Sequence, residues 1–210
     1  MKKLIATCIA LTLGLAISIA QAGVVVTFSP AAQHVDVGNA VQVEVRISGL
    51  GAEVLSGFDL NFFYDAAILQ FQSVDTKGAA DGLNASSGFA PQIAVDSTTN
   101  GNMGIQGYAT ADDAALSAGQ ADAFTLFRFD LIGVTDGMTS FTLGSDPDYE
   151  RNFVGLDFQT LPDVTVLGAC VAVGNGTCGA AQLPEPGTAG LALAALAMGL
   201  VHRRRGRFTA

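Results

Sequence analysis

The chain has 210 residues, half of them apolar, with 19 acidic and ten basic side chains and a net charge of −9 at pH 7. Between Gly23 and Gln182 the balance is steeper: 18 acidic residues face only Arg46, Lys77, Arg128 and Arg151, a net of −14. Such a segment excludes nucleic-acid binding through phosphates, repels anionic surfaces, and at 160 residues is long enough for one domain with a real core.

Met1-Lys2-Lys3 is a basic start, Leu4 to Ala20 is apolar and uncharged, and Ala20 and Ala22 are the small residues a signal peptidase reads. Residues 1–22 therefore read as a secretory signal peptide cut before Gly23, an uncleaved N-terminal anchor being the alternative. Cys8 leaves with that peptide.

From Gly23 the periodicity is that of strands. Val41, Val43, Val45 and Ile47 alternate with Gln42, Glu44, Arg46 and Ser48, so one face is buried and the other solvated. Phe58, Leu60, Phe62 and Tyr64 form a second such face, opposed by Asp59 and Asn61, and Leu69 and Phe71 open a third strand after Asp65-Ala66-Ala67. Further strands are expected at Val24–Phe28, Gln92–Val95, Met103–Tyr108, Ala123–Ile132, Ser140–Leu143 and Asp163–Leu167. In Ala123–Ile132 the apolar phase slips between Leu126 and Phe127, which predicts a β-bulge or burial on both faces. Only Ala111–Ala118 suggests a helical turn or two. Short strands with Gly- and Asp-rich turns argue an all-β sandwich or jelly roll.

The segment Gly38 to Val74, through Ser56-Gly57-Phe58-Asp59-Leu60, Phe63-Tyr64-Asp65 and Leu69-Gln70-Phe71-Gln72-Ser73-Val74, resembles the first half of a cohesin domain. Phe124-Thr125-Leu126-Phe127-Arg128-Phe129 is similar to that family's central core strand. The resemblance implies a cohesin-like jelly-roll sandwich of about nine strands over residues 23–168, and a family that binds dockerin modules. Ala66 stands where the family usually has Pro, which makes that turn less rigid.

Chemistry has few footholds. Cys170 and Cys178 remain after processing and flank a Gly-Asn-Gly loop in a linker at 169–182. In an oxidising periplasm an even pair at this spacing reads as a disulfide, with two free thiols or an intermolecular bond as alternatives. Asp146, Asp148, Glu150 and Asn152 alternate as in a calcium loop, but Arg151 stands where the sharp turn needs Gly and no helices flank the run. They form a weak calcium candidate, and a solvated acidic turn is the favoured reading; no other cofactor is indicated. His34 is the sole histidine between Gly23 and Gln182, so neither a triad nor a Cys–His pair is assembled without it, and an enzyme is not expected.

The chain closes on Leu183-Pro184-Glu185-Pro186, an uncharged apolar run at 187–201, and a tail at 202–210 holding Arg203, Arg204 and Arg205. The prolines keep the entry extended and open to a processing enzyme. The run reaches roughly 24 Å as a helix, short of a ~30 Å hydrocarbon core, with arginines able to snorkel and to hold that end in the cytoplasm. Pro-Glu-Pro, a short apolar helix and an arginine cluster together resemble the PEP-CTERM sorting signal. That resemblance implies a surface protein cut by an exosortase-type membrane peptidase in organisms that make exopolysaccharide. The expected protein is thus exported, held by one C-terminal transmembrane helix in the inner membrane, then passed to the cell surface or outside. Its sandwich would make protein–protein contacts as a matrix protein. A carbohydrate-binding adhesin is the alternative, with Tyr64, Tyr108 and Tyr149 the available tyrosines and no Trp.

Overall fold

The computed structural model describes residues 23–85, 88–144 and 152–179. Twelve strands among them form two sheets. Sheet 1 has the order β11-β1-β3-β8-β5, built from β1 (Val25–Ser29), β3 (Ala40–Ser48), β5 (Leu69–Asp75), β8 (Phe124–Gly133) and β11 (Thr165–Leu167). Sheet 2 runs β2-β12-β9-β4-β7-β6, from β2 (Ala32–Val35), β4 (Gly57–Phe63), β6 (Gln92–Thr99), β7 (Asn102–Tyr108), β9 (Gly137–Gly144) and β12 (Ala169–Val173). Short β10 (Asn152–Val154) pairs with β4 beyond the point where β9 stops. Both sheets are mixed, because β1–β11 and β2–β12 are parallel and the other pairs antiparallel.

The alternation read from the sequence decides which side of each strand is dry. Val41, Val43, Val45 and Ile47 are all essentially fully buried, and Leu60 and Phe62 meet them from sheet 2. Phe62 is the hub: its ring centroid lies 4.8 Å from Phe129, 5.5 Å from Phe127, 6.1 Å from Phe28 and 6.2 Å from Phe141. The phase slip in β8 is a bulge. Val45 pairs with Phe127 but Arg46 with Thr125, leaving Leu126 as the extra residue. Leu126 and Phe127 can then both be buried, which a regular strand facing solvent on one side would forbid.

Three strands and one helix depart from the expected pattern. β2, β10 and β12 raise the strand number above nine, and β12 is a sheet strand where a linker at 169–182 is expected. Its Val171, Ala172 and Val173 are all buried, so it shows no alternation. Helix α1 (Lys77–Asn84) buries only Ala79 and Leu83, spaced i, i+4. It seats against β8 through glycine: a Cβ on Gly78 would stand 2.2 Å from the Thr125 carbonyl oxygen. Helix α2 (Asp113–Gly119) lies where a helical turn is expected, and its cap Asp112 accepts a hydrogen bond from the Ala115 amide at 2.8 Å.

Among the described residues no helix is long and apolar enough to cross a membrane. The signal peptide with Ala20 and Ala22, the sorting segment with Pro184, Glu185, Pro186, Arg203, Arg204 and Arg205, the helix at 187–201, and Asp146, Asp148 and Glu150 all lie outside the described residues.

Candidate partner-binding face

Strand alternation sets what the outer face of sheet 2 presents. With Leu60, Phe62, Met103 and Ile105 turned inward and buried, Asp59 and Asn61 on β4 and Asn102, Gln106 and Tyr108 on β7 are turned outward. At one end of this face an open groove of 720 Å³ lies between the start of β4, the end of β7, α2 and the turn after β10. Its walls are apolar at Tyr108, Leu116, Val154 and Phe158, and acidic at Asp59, Asp113 and Asp157.

Each wall is held by a specific contact. Gln120 fixes the loop before β4, its Oε1 accepting from the Leu55 amide at 2.7 Å while its Nε2 donates to the Leu55 carbonyl at 2.8 Å. The same Nε2 also donates to Gly82 of α1 at 3.0 Å. The Ser56 amide donates to the Val154 carbonyl at 2.8 Å, and its hydroxyl to Gly155. The turn after β10 is closed by Gly155 N to Gln159 O at 2.6 Å and Leu161 N to Phe153 O at 2.7 Å.

That turn displays Phe158 with 94% of its surface exposed. Asp157 and Phe158 have φ of 54° and 58°, a left-handed conformation that costs about 1–2 kcal/mol per non-glycine residue. The ring is held in water on strained backbone, with the 59%-exposed Tyr108 lining the same groove.

Charge is divided between the sheets. The described Lys and Arg residues, Arg46, Lys77 and Arg128, belong to sheet 1 or to α1 seated on it. There Glu44 takes a hydrogen bond from Arg128 Nε at 3.0 Å and from Thr125 Oγ1 at 2.9 Å. The Arg128 and Thr125 hydrogen bonds hold its carboxyl below the ordinary 4.5. The groove on sheet 2 has three acids and, among the described residues, no base. It suits a partner offering apolar side chains flanked by positive charge.

The remaining sequence candidates fall elsewhere. Cys170 and Cys178 form a disulfide, Cα atoms 5.9 Å apart, clasping the segment after β12. Asn152 opens β10 and lines the groove. Tyr64 is buried, as its place in the alternation implies, with its ring stacked on Phe141 and its hydroxyl donating to Asn100 Oδ1 at 2.6 Å. Burial raises its pKa, and it offers no platform to a sugar. Exposed His34 sits on edge strand β2 with Nε2 2.6 Å from the Gly174 carbonyl oxygen. Among the described residues no three His, Cys, Asp or Glu side chains are placed to hold a metal. Phe158 escapes periodicity altogether; the available signal is an aromatic ring between Asp157 and Gln159 in a short polar stretch.

A two-sheet sandwich with a strained, aromatic, acid-rimmed groove on one outer face defines a protein-binding module. The family model for the cohesin domain matches residues 26–161. The chain belongs to the cohesin-domain family, whose domain is a non-enzymatic binding module. Among solved structures it is similar to CaCohA2 from Clostridium acetobutylicum (18% identity, TM-score 0.53, covering 73% of this chain and 92% of that one). It is similar also to the seventh ScaB type I cohesin from Pseudobacteroides cellulosolvens (13%, 0.54, 78% and 99%). A third is the non-cellulosomal cohesin from the archaeon Archaeoglobus fulgidus (14%, 0.50, 72% and 91%). At these identities the likeness speaks for the fold. No curated protein matches significantly.

Proposed function

We propose that this chain is an exported surface protein whose cohesin domain receives a dockerin-type module on the outer face of sheet 2, at the groove between Tyr108 and Phe158. The observation that carries the reading is the family match over residues 26–161. Some of the similar structures are cohesin–dockerin complexes, such as Coh-OlpC-Doc435 from Clostridium thermocellum. The exposed ring of Phe158 on its strained turn supports the choice of face. The direct test is calorimetric titration of the full chain with a panel of dockerin modules. A saturable complex weakened at least tenfold by Tyr108→Ala or Phe158→Ala is expected, since a buried aromatic anchor is worth about 2 kcal/mol or more. Absence of binding to every module, or indifference to both substitutions, overturns it.

Delivery to the surface rests on the ends of the sequence. Signal peptidase cuts after Ala22, the apolar run at 187–201 holds the chain in the inner membrane, and an exosortase-type peptidase acts at Pro184-Glu185-Pro186. Release places the domain in an exopolysaccharide-rich envelope, where it joins matrix proteins to one another. Substituting Pro184 and Pro186 leaves the tail attached in the membrane fraction; normal processing of that variant contradicts the sorting reading.

A further inference from the structure

The outer face of sheet 1 carries a polar grid. Register lines up Ser29, Glu44, Arg128 and Asp75 in one row across β1, β3, β8 and β5. The next row along the strands is Gln42, Asp130 and Ser73. All seven are on the outward side of their strands, because their neighbours Phe28, Val43, Val74 and Phe129 pack into the core. Hydrogen bonds fix the grid. Asp130 accepts from Gln42 Nε2 at 2.9 Å on one oxygen and from Ser73 Oγ at 3.0 Å on the other. Glu44 is held in the same way by Arg128 and Thr125. An open cleft of 410 Å³ lies over the two rows, lined by six of the seven residues and walled by Pro30.

Arg128 stands between Glu44 and Asp75 in its row. Its side chain is 63% exposed, and among the described residues its one hydrogen bond runs from Nε to Glu44. The Nη groups are left to donate to a ligand. Three carboxylates, Glu44, Asp75 and Asp130, face one guanidinium in the cleft. That balance repels phosphate, sulfate or uronate, and the guanidinium among the acids opposes a bare cation. A neutral ligand rich in hydroxyls satisfies both signs. Each hydroxyl donates to a carboxylate and accepts from a guanidinium or amide N–H. Pro30 offers an apolar surface to the C–H face of a sugar ring. The cleft falls within the range of about 300–1,000 Å³ usual for small-ligand sites. Its polar groups sit on paired strands and are already held by one another, so binding orders little that is loose.

We propose that the cleft over Gln42, Asp75, Arg128 and Asp130 on sheet 1 is a binding site for a neutral polysaccharide. It lies on the other sheet from the groove of Tyr108 and Phe158 and does not rest on the dockerin-type reading. With both faces occupied, the domain bridges a glycan and a protein. Each sugar contact is polar and weak, and repetition along a polymer raises the effective concentration of the next unit. The test is therefore native electrophoresis of the full chain through gels containing dextran, galactomannan or hydroxyethylcellulose, with polygalacturonate as the acidic comparator. Retardation by at least one of the three neutral polymers is expected, and none by polygalacturonate. Gln42→Ala and Asp130→Ala each raise the polymer concentration for half-retardation by about tenfold or more, the worth of one hydrogen bond to a charged group. Glu53→Gln, which removes one charge from an exposed loop position outside the cleft, leaves it unchanged. Retardation by none of the neutral polymers overturns the proposal, as does retardation by polygalacturonate or an unchanged Gln42→Ala. Loss of retardation in Tyr108→Ala with Gln42→Ala unaffected moves sugar binding to sheet 2 and overturns it too. Should Asp130→Ala not fold, Gln42→Ala at an exposed position decides the matter.

Discussion

Replacing Phe62 by Ala is the sharpest test of how the two sheets are held together. Phe62 is fully buried and its ring meets four others, at 4.8 Å (Phe129), 5.5 Å (Phe127, edge-on at 84°), 6.1 Å (Phe28) and 6.2 Å (Phe141). A buried Phe→Ala change costs about 3–5 kcal/mol in transfer and cavity terms. Aromatic pairs add ~0.5–1.5 kcal/mol each beyond area, which puts Phe62→Ala at the upper end, near ~5 kcal/mol. The walls of the cavity come from both sheets, so collapse is resisted by two hydrogen-bonded layers. Phe62→Leu keeps most of the volume and should cost about 1–1.5 kcal/mol. Urea unfolding reads both: with a slope of roughly 2 kcal/mol/M, the Ala variant's midpoint falls by about 2.5 M. Phe158→Ala, at an exposed ring, should stay within about 0.5 kcal/mol of the intact chain. A loss below ~1.5 kcal/mol for Phe62→Ala, on the same scale, would refute the description of this ring as the hub.

Two further outcomes follow from the geometry. Replacing Cys170 and Cys178 together by Ser opens a loop with a sequence separation of eight; loop-closure entropy sets the loss at about 2.5 kcal/mol, read as a lower urea midpoint that added reductant reproduces in the intact chain. Glu44 has its folded pKa lowered by hydrogen bonds from Arg128 and Thr125, so it binds its proton more readily unfolded than folded. Its contribution is therefore present above the ordinary 4.5 and is lost as pH falls through the lower folded value. Melting temperatures of the intact chain and Glu44→Gln should differ at pH 7 and converge in acid; a difference that grew on acidification would contradict this assignment.

The sandwich was legible where one face is wet. The strict alternation from Val41 to Ser48 gave β3. The slip from Leu126 to Phe127 gave the bulge, because a two-residue period cannot bury both without one. Legibility failed where both faces are dry or pairing is distant. Ala169–Val173 has no alternation and is recruited by parallel pairing with β2, more than a hundred residues away in sequence. Helix α1 contains two glycines and only two buried residues, so propensity argued against it; close packing on β8 prevails. Asp59 and Asn61 were recognisable as outward positions of one strand. Which residues of β7 and β10 stand beside them, Gln106 and Asn152 next to Asp59 and Gly104 next to Asn61, is set by register alone, which no local pattern encodes. The exposure of Phe158 was not legible because neither left-handed position of its turn, Asp157 or Phe158, is a glycine that would announce it.

The account's central claim is that a dockerin-type partner docks on the outer face of sheet 2. Hydrogen exchange of the full chain, with and without a bound dockerin module, measures this most directly. The account predicts new protection confined to β4, β7 and the turn at Leu156–Phe158. Protection appearing instead on β3 and β8, around Glu44 and Arg128, would contradict it.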